Sequence, residues 1–303
     1  MSQTMNQLRT FFKNRDDLKV FAMNGSKVNK SIPDDIFKDY DVVFFSTNFK
    51  QYIEDSSFLD LFGETLIKTE PESDPICPNE LLEGKGYVYL VQYVSGLRID
   101  FQFRDIDTLD DYLKEDSLTR IIEDKEKLVT SEIIPNDSDY WLKKPSKEQI
   151  EFSLAEFWWL IPNVLKSSLR KQEILAQFYF DLTRKELFQL IAWSVANETN
   201  WNENYGKEFT TILDKVTDRE HQQIMSLFQV GTTDSLYKGI QTMMSLQEYY
   251  LKRIAPSYDI DLKKFLAYQH IPYTYLMSKE EVTLAKKLKK HQDSINIQEK
   301  RDK

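Results

Sequence analysis

Apolar residues in the first part of the chain fall largely into short runs with period-two alternation, and from residue 148 onward they recur at steps of three and four. Those are the repeats of a strand and of a helix. Residues 4–17 open with a helical pattern that puts Leu8, Phe11 and Phe12 on one side. Leu18 to Met23 reads as a short strand entering the turn Asn24-Gly25-Ser26, and Lys27 to Lys38 as a polar loop around Pro33. A second β-prone run follows, Asp39-Tyr40-Asp41-Val42-Val43-Phe44-Phe45. Residues 50–62 return to helical spacing through Tyr52, Ile53, Phe58, Leu59 and Phe62, and Glu70 to Glu83, with three prolines, reads as loop. Gly86 to Val94 is a strand pattern ending at Ser95-Gly96, a two-residue hairpin signal. The strand beyond it sets Leu97, Ile99, Phe101 and Phe103 against Arg98, Asp100 and Gln102. Residues 107–129 are expected to be helical, with Asp105, Asp107, Asp110 and Asp111 near the helix start.

Residues 135–147 carry Pro135 and Pro145, several turn formers and little periodicity. They are expected to link a first domain, 1–134, to a second, 148–290. In the second domain one helix is read over Glu151 to Arg170, containing Phe157, Trp158 and Trp159 and kinked at Pro162, and another over Lys171 to Asn197. Asp234 is expected to cap a long helix bearing Leu236, Ile240, Met243, Met244, Tyr250 and Leu251, and Ser278 with Glu281 a final one. The charged tail 291–303 lacks an apolar stripe and is expected to fray. The fold class is therefore α+β, a mixed sheet with helices followed by an all-α helical bundle.

Composition narrows the function. The 303 residues hold 40 basic against 49 acidic side chains, a net charge of −9. That balance argues against general nucleic-acid binding, which needs a basic surface, and suits a cationic small-molecule partner. Cys77 stands alone and the histidines are three, so neither a disulfide nor a Cys/His metal site is expected. No apolar run is long enough for a membrane span and no signal-peptide pattern opens the chain, so the expectation is a cytoplasmic protein. Oligomeric state is not legible.

Two aspartates one residue apart on a strand point to the same face, where they repel each other unless a cation lies between them. Asp39 and Asp41 are therefore candidate ligands for Mg²⁺, a hard cation that takes oxygen donors. Asp100, on the polar side of a neighbouring strand, is a candidate third ligand or a general base. A Gly-Ser turn after a strand lets backbone approach a phosphate and offers it a hydroxyl and an amide, which makes Gly25 and Ser26 candidates for a triphosphate. The ordinary alternatives are a common turn, an edge strand protected by charge and an exposed hairpin face.

The blocks Asn24-Gly25-Ser26-Lys27-Val28-Asn29 and Ile32-Pro33-Asp34-Asp35-Ile36-Phe37-Lys38-Asp39-Tyr40-Asp41-Val42 resemble the nucleotide-binding signature of the streptomycin-type aminoglycoside 6-adenylyltransferases. The likeness continues in order through Leu97-Arg98-Ile99-Asp100, Asp139-Tyr140-Trp141-Leu142, Glu156-Phe157-Trp158-Trp159 and Arg170-Lys171-Gln172-Glu173. The resemblance implies a nucleotidyltransferase fold in the first domain that binds ATP and Mg²⁺. It makes Asp39, Asp41 and Asp100 the catalytic carboxylates and metal ligands, and Gly25, Ser26 and Lys27 the triphosphate site. It implies that the helical domain recognises the aminoglycoside, with Glu156 meeting an ammonium or guanidinium group and Trp158 or Trp159 walling the sugar. Lys27 stands where the family usually has arginine, which keeps the charge but loses the two-pronged fork. The implied activity is transfer of AMP to a hydroxyl of streptomycin, at the 6-position, causing antibiotic resistance. The rival readings are a nucleotidyltransferase with another small-molecule or protein acceptor, and a nucleotide-binding module without turnover.

Overall fold

The protein is described by a computed structural model that covers residues 2–79 and 82–289. The chain divides into two compact units, Met1–Asp139 and Tyr140–Lys303.

In the first unit, helix α1 (Gln3–Lys13) precedes strands β1 (Leu18–Asn24) and β2 (Tyr40–Ser46). Short helix α2 (Gln51–Glu54), strands β3 (Thr65–Thr69), β4 (Gly86–Tyr93) and β5 (Arg98–Asp105), helix α3 (Leu109–Tyr112) and strand β6 (Arg120–Asp124) follow. The strands form one mixed sheet in the order β3-β4-β5-β2-β1-β6, with β2 and β5 parallel and every other pair antiparallel.

The alternation read from the sequence sorts side chains onto two unequal faces. Phe21, Phe44, Phe101 and Phe103 pack under α1 with Phe11, Phe12 and Tyr52 in a large aromatic core. The opposite parity, Val20, Ala22, Val43 and Phe45, is covered only by Leu109, Tyr112 and a few partly buried neighbours. Asp41, Asp100 and Gln102 share this thinly covered face, because β2 and β5 pair Asp41 with Asp100 and Val43 with Gln102.

Several local expectations are corrected. Residues 107–129 are not a helix: after the single turn of α3, Ile121 and Ile122 enter β6, which pairs with the other edge of β1 through Ile121 opposite Ala22, with a register shift at Ile122. A free sheet edge and adjacent β-branched residues outweigh helical spacing there. Residues 50–62 break because the Asp55 carboxylate accepts the Ser57 amide, ending α2 and starting a 3₁₀ turn at Ser57. The hairpin between β4 and β5 is closed by Tyr93 N–H donating to Leu97 O, which encloses three residues, Val94 to Gly96, with Gly96 at φ +83°. Strand β3, whose side chains are largely exposed, was not anticipated.

The second unit is helical: α4 (Lys147–Leu169), α5 (Glu173–Glu198), α6 (Asp218–Ser226), α7 (Thr233–Tyr258), α8 (Leu262–Ala267) and α9 (Ile271–Ser278), then 282–289. Helix α4 runs through Pro162 without a break. Its core joins Phe157, Ile161 and Leu165 to Phe180, Leu187 and Ile191 of α5 and Ile240, Met243 and Leu251 of α7. Ser278 donates to Tyr275 O at the end of α9 and does not cap the stretch that follows. The expected tail 291–303 lies outside the described residues. Among the described residues no helix is long and apolar enough to cross a membrane.

The cap of α7 is Thr232 in a box with Ser235, two residues before the expected Asp234, which sits in the first turn and pairs with Lys287. Thr232→Ala should therefore destabilise the helical unit by about 1 kcal/mol, and Asp234→Ala by less. Denaturant unfolding of both variants checks the order; the reverse order would return the cap to Asp234.

Candidate active site

Asn24, the last residue of β1, is the register partner of Asp41 near the start of β2, so the following turn lies over the Asp41 carboxylate. Gly25 takes φ +72°, and a Cβ there would lie 2.2 Å from Asp41 Oδ2. Only glycine lets the turn and the carboxylate come this close. The turn is closed by Val28 N–H donating to Gly25 O at 3.2 Å, and contains Ser26 and Lys27. From behind, Asn24 is held through its amide to Thr119 Oγ1 at 2.9 Å and by the Tyr112 hydroxyl, which donates to its Oδ1.

Asp41 and Asp100 meet across the parallel pair, and Asp39 immediately precedes β2. The Asp41 carboxyl is pushed up from 3.8 to about 6, first by burial, then by Asp100 and Asp39, against the opposing pull of Arg98. A cavity of about 340 Å³ opens beside Asp41 and Asp100, with Gln102, Arg104, Glu115 and Asp116 in its lining. Arg104 is fixed by a two-pronged bond to Glu115, at 2.8 Å to each oxygen.

Arg98, a residue to which the sequence assigns no role, joins Asp100 and Asp39. Its Nε and Nη2 donate to Asp100 Oδ1 and Oδ2 at 3.0 and 2.8 Å, and its Nη1 is 3.3 Å from Asp39 Oδ2. It also lines a second cavity of about 440 Å³ together with Lys27, Lys38 and Asp39. Lys27 Nζ lies 4.6 Å from the Tyr40 ring centroid and 4.0 Å from Asp34 Oδ1. The Lys38 side chain is only 7% exposed, with Nζ likewise 4.0 Å from Asp34. The signal for Arg98 was its parity: two residues from Asp100 on one strand, it had to share that face.

Three carboxylates offer the all-oxygen donor set that Mg²⁺ takes, and the Gly25 turn fits closely over one of them. Among the described residues, however, no three carboxylate or Cys/His side chains stand gathered as a metal cradle. A guanidinium bridges two of the three carboxylates. The donor chemistry suits the ion, while the carboxylates as they stand are held by Arg98 and are not gathered around a common point.

The expected acceptor residues lie in the second unit, on α4. Trp158 is 1% exposed and packs edge-on against Phe157, whereas Trp159 is 72% exposed. Neighbouring residues on a helix diverge by about 100°, so one tryptophan is core and only the other can form an open wall. Glu156 is partly exposed. Phe152, outside the expected acceptor set, is also 72% exposed. With Phe152 four residues before Glu156 and Trp159 three after, the carboxylate is flanked by two open aromatic rings on one helix face.

A family model described as streptomycin adenylyltransferase matches residues 1–276. An aminoglycoside 6-adenylyltransferase of Staphylococcus aureus is 29% identical over 273 residues, covering 87% of this chain and 96% of that protein. Another of that name from Bacillus subtilis (strain 168) is 26% identical over 264 residues, covering 84% and 92%. A crystal structure of an aminoglycoside 6-adenyltransferase from Bacillus subtilis is 21% identical, with 93% of this chain and 99% of that one covered at a TM-score of 0.40.

Proposed function

We propose that this chain, which belongs to the streptomycin adenylyltransferase family, transfers AMP from ATP to the 6-hydroxyl of streptomycin with the help of Mg²⁺. Membership makes it a nucleotidyltransferase, and the names of its relatives support an aminoglycoside as the acceptor. The observation that carries the reading is the close fit of the Gly25 turn over the Asp41 carboxylate, with Asp100 opposite. A phosphate-binding turn and paired carboxylates at one end of a sheet are what nucleotidyl transfer requires.

In the proposed reaction the acceptor's hydroxyl oxygen bonds to the α-phosphorus of ATP. The bond from that phosphorus to the bridging oxygen breaks, and pyrophosphate leaves. Gly25, Ser26 and Lys27 hold the triphosphate through backbone amides, a hydroxyl and an ammonium. Asp39 and Asp41 would hold the cation, and Asp100 either shares it or takes the hydroxyl's proton. Bound Mg²⁺ would supply neutralisation of the charge on the phosphates. A chain of net charge −9 suits a polycationic drug, and use of ATP is in keeping with a cytoplasmic reaction. The added group would bring bulk and negative charge to the drug, the basis of the proposed resistance.

Incubation with ATP, Mg²⁺ and streptomycin should release pyrophosphate and add the mass of AMP to the drug. No product across a panel of aminoglycosides would overturn the reading.

Acceptor recognition is assigned to Glu156 and Trp159. Loss of one charge-assisted contact through Glu156→Gln should raise KM for streptomycin about tenfold, with KM for ATP unchanged. Trp159→Ala should act in the same direction. Steady-state kinetics with each substrate varied in turn checks both, and an unchanged drug KM would remove α4 from the site.

A further inference from the structure

Two facts about Arg98 stand together. Its fork and third nitrogen use the same oxygens of Asp100 and Asp39 that a divalent cation would take. Its side chain is nevertheless 42% exposed, so no core packing locks it there. A guanidinium and a dication cannot occupy the same lone pairs, and at such short range they repel each other. When a cation takes the carboxylates, Arg98 has to find another acceptor. The cavity it lines already holds Lys27 and the nearly buried Lys38 beside Asp35 and Asp39, with each lysine Nζ 4.0 Å from an exposed Asp34. Once a cation neutralises Asp39, the basic side chains outnumber Asp35 around this cavity and favour an anion with several oxygens, and arginine binds phosphate with the same fork it uses on carboxylate.

We propose that Arg98 is a positioning residue with two partners. In the metal-free enzyme it holds Asp39 and Asp100 as their counter-ion. When a divalent cation takes those carboxylates, it swings to the polyphosphate of the nucleotide beside Lys27 and Lys38. It thereby couples entry of the cation to entry of the nucleotide: each is weak alone, because Arg98 guards the carboxylates and is itself held away from the phosphate. The proposal rests on the metal-binding reading given above.

Mn²⁺ serves as the probe, its free fraction read by electron paramagnetic resonance with and without a non-hydrolysable ATP analogue. The wild type should bind Mn²⁺ weakly alone and at least tenfold more tightly with the analogue. Without the competing guanidinium, Arg98→Gln should bind Mn²⁺ alone about tenfold more tightly than the wild type, lose the cooperative gain, and show a KM for ATP about tenfold higher. Arg98→Lys, which keeps the charge but not the fork, should fall between, and carries the test if the glutamine variant does not fold. A Mn²⁺ affinity that Asp41→Asn abolishes and both Arg98 variants leave unchanged overturns the role of Arg98 alone. No Mn²⁺ binding by the wild type, even with the analogue, overturns the metal reading along with it.

Discussion

Asp41→Asn should lower adenylyl transfer by on the order of a thousandfold and yet raise the temperature at which the metal-free protein unfolds at pH 8. The first effect follows from the proposed role of Asp41 as an anionic ligand at the reacting phosphate. The second follows from what the fold imposes on that carboxylate. Burial, Asp100 and Asp39 all oppose its charge, and only Arg98 favours it, with a net rise from 3.8 to about 6. An acid whose carboxyl is raised in the folded state favours folding while protonated. That contribution is full below its ordinary value and is lost as pH rises from about 4 through 6. Taken whole, the shift corresponds to about 3 kcal/mol of instability at pH 8, an upper bound because the carboxylate is not wholly sealed from water. Asparagine keeps the shape without the charge. The gain in unfolding temperature should amount to several degrees at pH 8 and shrink as pH falls toward 4. Calorimetry at several pH values without metal, beside a transfer assay with Mg²⁺, checks both halves. An asparagine variant less stable than the wild type at pH 8 would show that the carboxylate is not strained.

That strain could be foreseen only in part. The period-two spacing of Asp39 and Asp41 was enough to argue for like charges on one face. What brings Asp100 opposite Asp41 is the parallel pairing of β2 with β5, strands separated by two others in the chain, and no local pattern encodes which distant strands become neighbours. Parity nonetheless placed Asp100 on a polar face before its partner was known. The same limit explains 107–129, where the spacing of Leu109, Tyr112 and Leu113 is helical but the free edge of β1 decides the fate of Ile121 and Ile122. On α4 the fault lay in treating Trp158 and Trp159 as equivalent, although 3.6 residues per turn turns consecutive side chains to different surroundings. The same periodicity, applied outward from Glu156, would have found Phe152. Charges that neutralise one another within the site are the hardest to read, because Arg98 is visible as a residue but its bridge to Asp39 depends on a rotamer.

Gly25→Ala should lower transfer by on the order of a hundredfold, about tenfold less than the loss of Asp41, for a reason confined to one atom. Alanine at φ +72° carries the cost of a left-handed conformation, about 1 kcal/mol. Its methyl would also lie 2.2 Å from Asp41 Oδ2 and 3.1 Å from Asp41 Cγ, too close for any real contact. Of the two neighbours, the side chain yields more readily than the turn, which Asn24 anchors through Thr119 and Tyr112. The carboxylate therefore swings out of place, and a ligand misplaced by about 1 Å costs on the order of a hundredfold in rate. Folding should suffer little, because a displaced Asp41 escapes the burial that raises its carboxyl. Activity and stability are thus expected to part company, with a large fall in kcat beside a loss of roughly 1 kcal/mol or less. A double-mutant cycle decides whether the effect runs through the carboxylate. If it does, Gly25→Ala added to Asp41→Asn makes transfer little worse than Asp41→Asn alone, since the ligand is already gone. Fully additive losses would mean that Gly25 acts on the triphosphate independently of Asp41, and a near-normal kcat in Gly25→Ala would show that the turn can open without disturbing either.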